Sequence, residues 1–501
     1  MKAFFIIFFF TILGVTLSSQ NKQDYYWPLG IDVTDEPEVE GSAFDFNKRP
    51  FTPEERRGDL EMDMMNASIC DAEGNLLFYT NGCAVSNREH KIMPEGDSIN
   101  AGPFLTEYWR EDCSLGYTGV QDITILPDPA YDLGFYILHK PNTYDVENDR
   151  RFTKDTLQYS YVDMALDNGL GDVTEKNVNI TEHHMLNAYL TSIPKENGRD
   201  WWVINAVHPS GYMLWSLTEE GIQYERELDG PEWDEWSGAA GYGLFSPNGT
   251  KYALFNEFDG VHLYDFDRSD ASFSNAQHLP PGPRPDSGTF STSEWSPNSR
   301  FLYLARADSL WQLDTEAEPL IDGLVFIAEK TDPEVPWFQK AALGPDCRIY
   351  LRQLSSHEYM NIIHKPDEKG LACDFQQMGI KLPRITGVGT FPNVPRFRVD
   401  EEDKCDPSIV SIVGETVWWR RDLEVFPNPA STQVTVTLPE QQQGRLYIMD
   451  ISGVVVQDHI AVLSDKILDV SGLVPGTYSV EFLPEDNEDR VVYTRKVVVV
   501  R

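Results

Sequence analysis

The chain has 501 residues, with 80 acids against 41 Lys and Arg, for a formal net charge of -39. Hydrophobic residues at 41% and aromatics at 12% exclude a disordered chain, and the length exceeds what one ordinary core serves. A surface so acidic repels phosphate backbones and anionic lipid heads, which argues against nucleic acid and membrane surfaces as partners.

Residues 1–19 open with Lys2, continue in an apolar run from Ala3 to Val15 and end on Ser18 and Ser19. The run falls short of the roughly 20 residues needed to cross a bilayer, so the segment reads as a secretory signal peptide. In an exported chain the six cysteines can form disulfides. None makes a C-x-x-C pair, which disfavours zinc. Cys70 and Cys83 bracket a hairpin-like stretch and could close it; Cys347 with Cys373 is the second pairing considered.

Residues 20–405 carry an internal repeat. LFSPNGTKYALFN (244–256), EWSPNSRFLYLAR (294–306) and ALGPDCRIYLRQ (342–353) share a strand end, a small-Pro-Asn/Asp turn and an alternating strand. Proline sets φ at the first turn position and Asn or Asp tolerates the tighter second one. Looser copies stand at 68–81, 124–139 and 192–205. Six units of roughly 50 to 60 residues, each a small sheet, predict a β-propeller. The material before Ser68 and after Leu382 is expected to pair into a further, composite blade, giving seven blades; six is the alternative if the ends complete a visible unit.

No common catalytic constellation is present. His183 and His184 point to opposite faces of a strand, and His139, His208 and His364 stand near aromatic strands and could face the axis. Asp265, Asp267 and Asp270 offer the oxygen ligands of a calcium loop but lack its central Gly and terminal Glu, so a hairpin with an internal Arg268 pair is the better account. No other cofactor is expected. PEWDEW (231–236) and GRDWW (198–202) set tryptophans beside acids, as glycan-binding faces do.

Residues 406–424 read as a linker, and 425–501 change to a compact all-β pattern with strands expected at 433–438, 445–450, 454–457, 467–470, 477–482 and 491–500. The fold class is therefore all-β, a propeller followed by a small β-sandwich.

The strings ASICDAEGNLLFYTNG, FSPNGTKYALFNEFDGVHLYDFDR, WSPNSRFLYLA and LGPDCRIY together resemble the WD-repeat-like propeller of secreted Bacteroidetes proteins, a resemblance that implies a fold and no activity. The tail is similar to the C-terminal sorting domain of the type IX secretion system. Its signals are Pro427, Asn428 and Pro429 at the entry, the turn from Asp450 to Gly453, the segment with Leu473, Gly476 and Tyr478, and the end RKVVVVR. That resemblance implies passage from the periplasm through the outer membrane, by the type IX machinery, to the cell surface or beyond. The expected role is an exported cargo whose propeller binds glycan or protein; the alternative is a hydrolase or lyase acting on extracellular polymer.

Overall fold

The computed structural model of the protein describes residues 21–31, 39–49, 51–62, 64–109, 116–145, 150–233, 241–281, 291–306, 308–330, 335–353, 355–387, 389–409, 419–438, 443–449, 455–461, 465–484 and 491–500. The signal peptide expected at 1–19 lies outside them. Two compact units are present, Met1–Ser411 and Ile412–Arg501.

Among its described residues the first unit holds seven antiparallel sheets in chain order, none sharing a strand with another. Their first strands are Tyr26–Leu29, Ala67–Cys70, Ile123–Pro127, Thr191–Pro194, Gly241–Phe245, Ser291–Trp295 and Lys340–Leu343. These short strands are mostly buried on both faces; the first packs against the second, the second against the third, and the fourth through seventh against one another in turn. Later strands lie farther out and are wetter: Gly221–Glu232, last of the fourth sheet, is largely exposed. This is a β-propeller.

The repeated turn has a definite chemistry. Ser246 Oγ donates to Asn248 Oδ1 at 2.8 Å and accepts from the Lys251 N–H at 3.0 Å, so one hydroxyl starts the second strand while the carboxamide closes the turn. Ser296 and Asn298 repeat it at 2.7 Å, with the Phe301 N–H on Ser296 Oγ at 2.9 Å. In the seventh sheet Gly344 replaces the serine and Asp346 takes over, accepting from the Tyr350 hydroxyl at 2.6 Å. Between sheets the core is aromatic: Tyr350 packs edge-on to Trp27 and Phe44, joining the seventh sheet to the first.

The ends of this unit meet: the Gly387 N–H donates to the Ile31 carbonyl, the described strands of the first sheet come from residues 26–57, and the last strand of the seventh, Phe375–Thr386, packs against its outer strands. The cysteine pairing is corrected. The disulfide joins Cys347 to Cys405, with Cα atoms 5.1 Å apart. Cys373 is a buried thiol, and Cys70 and Cys83 are both buried without being bonded to each other. Cys70 ends the first strand of the second sheet whereas Cys83 lies between its second and third strands, and Cys373 faces the core near the Tyr303 hydroxyl.

In the second unit a five-stranded sheet and a three-stranded sheet enclose one apolar core, which includes Val434, Leu446, Ile448, Leu468, Val480, Phe482 and Val497. Strands observed at Gln433–Thr437, Gly444–Met449, Val455–Ala461, Lys466–Asp469, Gly476–Pro484 and Val491–Val499 match the alternation read from the sequence. Two more strands stand where the sequence reads as linker or turn. Trp419–Asp422 pairs in parallel with the last strand, and Glu424–Phe426 pairs with Gln433–Thr437. Neither alternates over enough residues to stand out as a strand on its own.

Candidate functional site

The axis of the propeller is filled by the chain itself. After the last strand, residues 387–409 run alongside the first strand in the opposite sense. The Gly387 N–H donates to the Ile31 carbonyl at 2.6 Å, Phe391 stacks edge-on to Trp27 with ring centroids 5.5 Å apart, and Arg398 reaches Asp24. We call this segment the strap.

Polar side chains on the strap and around it satisfy backbone groups that the inner strands leave unpaired, as buried peptide groups require. Asn66 Nδ2 donates to Pro28 O at 2.7 Å and Thr390 O at 3.1 Å. Asn393 Nδ2 donates to Ile123 O at 2.8 Å and Leu190 O at 3.0 Å, bridging the third sheet to the start of the fourth. Arg396 donates to Phe245 O at 3.1 Å and to the buried carboxylate of Glu294 at 2.5 Å. Glu294 in turn accepts from the Leu343 N–H at 3.0 Å. The Asp406 N–H meets Pro345 O at 2.6 Å beside the Cys347–Cys405 bond. The strap thus touches all seven sheets. Beside the strap lies a cavity of about 50 Å³ lined by Trp27, Gln121, Tyr242, Glu294, Phe391 and Arg396, among others. That is room for a water or two and not for a substrate.

The histidines serve elsewhere. His139 is fully buried between Asn100 Oδ1 at 2.7 Å and Ser160 Oγ at 3.1 Å, and burial lowers its pKa to about 3. His183 Nδ1 lies 3.2 Å from the His184 carbonyl, His184 Nδ1 lies 2.8 Å from Asp155, and the ring of His208 meets that of His184 edge-on at 5.4 Å. His364 contacts Gln376 at 2.9 Å. None lines the axial cavity. Beside His139, Asp122 is fully buried between Lys140 at 2.8 Å and Lys154 at 3.3 Å. Lys140 also donates to Leu186 O, Ala188 O and Asn205 Oδ1, so this network ties the third sheet to the fourth.

The acidic hairpin does not gather its carboxylates. Asp267 accepts from the Ser269 N–H and hydroxyl, Asp270 from the Ser272 N–H, and Asp265 from Asn275. Arg268 pairs with Asp400 of the strap at 2.7 Å instead of with an acid of its own hairpin. Among the described residues, no three His, Cys, Asp or Glu side chains come together as metal ligands. Trp201, Trp202 and Trp233 are buried, with Trp202 Nε1 donating to Arg268 O at 2.8 Å and Trp233 Nε1 to Gly211 O at 3.3 Å. They are core aromatics and not a glycan-stacking face; residues 234–236 lie outside the described residues.

A groove of about 410 Å³ does open between the outer strands of the fourth and fifth sheets, lined by Arg226, Glu227, Asp229, Tyr264, Phe273 and Asn275. Tyr264 and Phe273 stack at 4.7 Å beneath it. Nothing in the sequence marked this groove, because its residues come from two hairpins whose packing only the ring of sheets determines.

In the second unit the entry motif and the C-terminal strand are locked together. Asn428 Nδ2 donates to Lys496 O at 2.8 Å, and its Oδ1 accepts from the Val498 N–H at 2.9 Å. Ala430 continues the pairing, its N–H to Val498 O at 2.8 Å and its carbonyl accepting from the Val500 N–H at 2.7 Å. Pro427 and Pro429 flank the asparagine and have no N–H to offer a ladder. The side-chain amide therefore replaces the peptide pairing that prolines forbid. Tyr478 is buried with its hydroxyl on Val474 O at 2.7 Å, Leu473 packs against the core, and Gly476 starts the strand opposite Val499. Asp450 and Gly453 lie outside the described residues.

Residues 424–500 match the family model of the secretion system C-terminal sorting domain. The tail is a type IX secretion sorting domain, and it marks the chain for secretion to the cell surface or beyond. No curated protein matches the chain significantly. Among solved structures, the periplasmic gluconolactonase PpgL of Pseudomonas aeruginosa aligns at 12% identity and a TM-score of 0.43, covering 73% of this chain and 97% of its own. PorZ, a surface component of the type IX secretion system of Porphyromonas gingivalis, aligns at 11% identity and a TM-score of 0.28, covering 92% and 68%. TolB of Acinetobacter baumannii aligns at 11% and 0.31, covering 74% and 67%. Likenesses this distant carry no argument about activity, and the propeller is read from its own sheets.

Proposed function

We propose that the protein is a type IX cargo whose propeller is a rigid binding module for glycan or protein at the cell surface or in the medium. The observation that supports binding over hydrolysis is the filled axis: a cavity of about 50 Å³ cannot admit a polymer chain, and the titratable groups around it are committed to holding strands together. The groove beside Arg226 and Asn275 has the size of a ligand site, and it offers charged and amide groups above an aromatic floor, the combination that suits a sugar. The tail delivers the module through interaction with the secretion machinery.

The delivery half is tested by removing residues 424–500 and fractionating cells: truncated protein still reaching the surface would sink it. The binding half is tested with purified protein on a glycan and surface-protein array, comparing the wild type with Arg226→Glu and Asn275→Ala. A ligand that both variants retain would move the site away from this groove.

A further inference from the structure

Arg352 ends the second strand of the seventh sheet, directly opposite Lys340 in register, and the two side chains are only 3% and 1% exposed. A buried guanidinium is unfavourable unless negative charge is close. Arg352 has no carboxylate partner among the described residues. Its Nη2 donates to Gly387 O at 3.0 Å and its Nε weakly to Gln353 O at 3.4 Å, both neutral acceptors, while Nη1 is buried with no protein partner. Burial alone pulls its pKa down to about 10.

Two hydroxyls nearby are in the same condition. Thr386 Oγ1 and Ser42 Oγ are buried without a partner. Thr386 flanks the same carbonyl as Arg352: a Cβ built on Gly30 would lie 3.3 Å from Thr386 Oγ1 and 3.4 Å from Gly387 O, so the backbone at Gly30, with φ of +66°, approaches this corner closely. Ser42 is paired with Leu29, two residues along from the Trp27–Phe44 pair that faces Tyr350, and Arg352 stands two residues along from Tyr350. The alternation of strands therefore puts Ser42 on the same face as Phe44 and Arg352 on the same face as Tyr350, the two faces that meet at the seam between the first and seventh sheets.

We propose that this corner of the seam is a small-monoanion site, in which Arg352 Nη1 and the hydroxyls of Thr386 and Ser42 donate to a halide or to a carboxylate end group. Three unpartnered donors in a buried setting, one of them a guanidinium that can only donate, suit a compact anion, and the guanidinium's charge disfavours a cation.

The test is thermal unfolding of the intact protein at constant ionic strength, replacing gluconate stepwise by chloride or by acetate. The wild type should show a saturable rise in Tm, as binding to the folded state alone requires. A response to chloride alone assigns a halide, and one to acetate assigns a carboxylate. Arg352→Met should abolish the rise. Should that variant fail to fold, Thr386→Val and Ser42→Ala should each raise the half-saturating concentration severalfold. A crystal soaked in bromide should show its anomalous peak within hydrogen-bond distance of Arg352 Nη1. A wild-type Tm indifferent to both anions, an equal rise in the variants, or bromide found only elsewhere would overturn the proposal.

Discussion

The carboxamide of Asn428 spans two peptide groups of the last strand, Lys496 O at 2.8 Å and Val498 N–H at 2.9 Å, and so joins the first sorting motif to the last. Asn428→Ala removes both bonds and leaves an edge unpaired, at a cost of about 1–3 kcal/mol. The expected outcome is a lower Tm for the tail transition and less protein at the cell surface, read by calorimetry and by fractionation. Asn428→Asp keeps the acceptor but not the donor, and should fall between.

Arg398 and Asp24 form a buried pair with both oxygens engaged at 2.5 Å, at the far end of the strap from Gly387. Breaking such a pair leaves one charge buried alone, so Asp24→Asn or Arg398→Met should each destabilise the propeller by about 3–5 kcal/mol. The double variant, free of the stranded charge, should recover part of that loss. Urea titration of the four proteins checks the cycle; additive losses would mean that the two residues do not act as a pair.

The Cys347–Cys405 bond spans 58 residues of sequence. Closing a loop of that size removes unfolded-state entropy equivalent to about 4 kcal/mol. Cys405→Ser should therefore lower the urea midpoint markedly in non-reducing buffer, and reduction of the wild type should reproduce the effect. Cys373→Ser, at a buried thiol outside the bond, should leave the response to reductant unchanged.

His139 binds its proton far less readily when folded, near pH 3 against the usual 6.5, because it is buried and close to Lys154. Between those values the unfolded chain holds the extra proton, so stability falls as pH drops from 6.5 toward 3. The full difference is on the order of a few kcal/mol. Denaturant midpoints for the wild type should decline across that window more steeply than for His139→Gln; parallel slopes would remove His139 as the cause.

The sequence carried much of this fold, for physical reasons that differ along the chain. The Ser-Pro-Asn turns were readable because each is local: Ser246, Asn248 and Lys251 contact one another within six residues. The sorting tail was readable because its strands alternate cleanly and its motifs recur in order. The groove, the strap and the disulfide were not. Asn393 bonds residues 270 and 203 positions away in the chain, and Arg396 bonds Glu294 at a separation of 102. No periodicity encodes such partners. The same blindness explains the cysteines, since proximity along the chain favoured Cys373 whereas the strap brings Cys405 to Cys347. The tryptophans misled for a simpler reason: an acid beside a Trp looks the same in sequence whether the ring faces a sugar or a core.

The strap also sets an order in time. Asn393, Arg396 and Arg398 supply bonds to strands that leave the ribosome well before them, so the inner strands of the early sheets have no complete set of partners until the chain has passed residue 405. The ring is therefore sealed by its own last segment, just ahead of the tail that addresses it for export, and a prematurely ended chain would lack both the seal and the address.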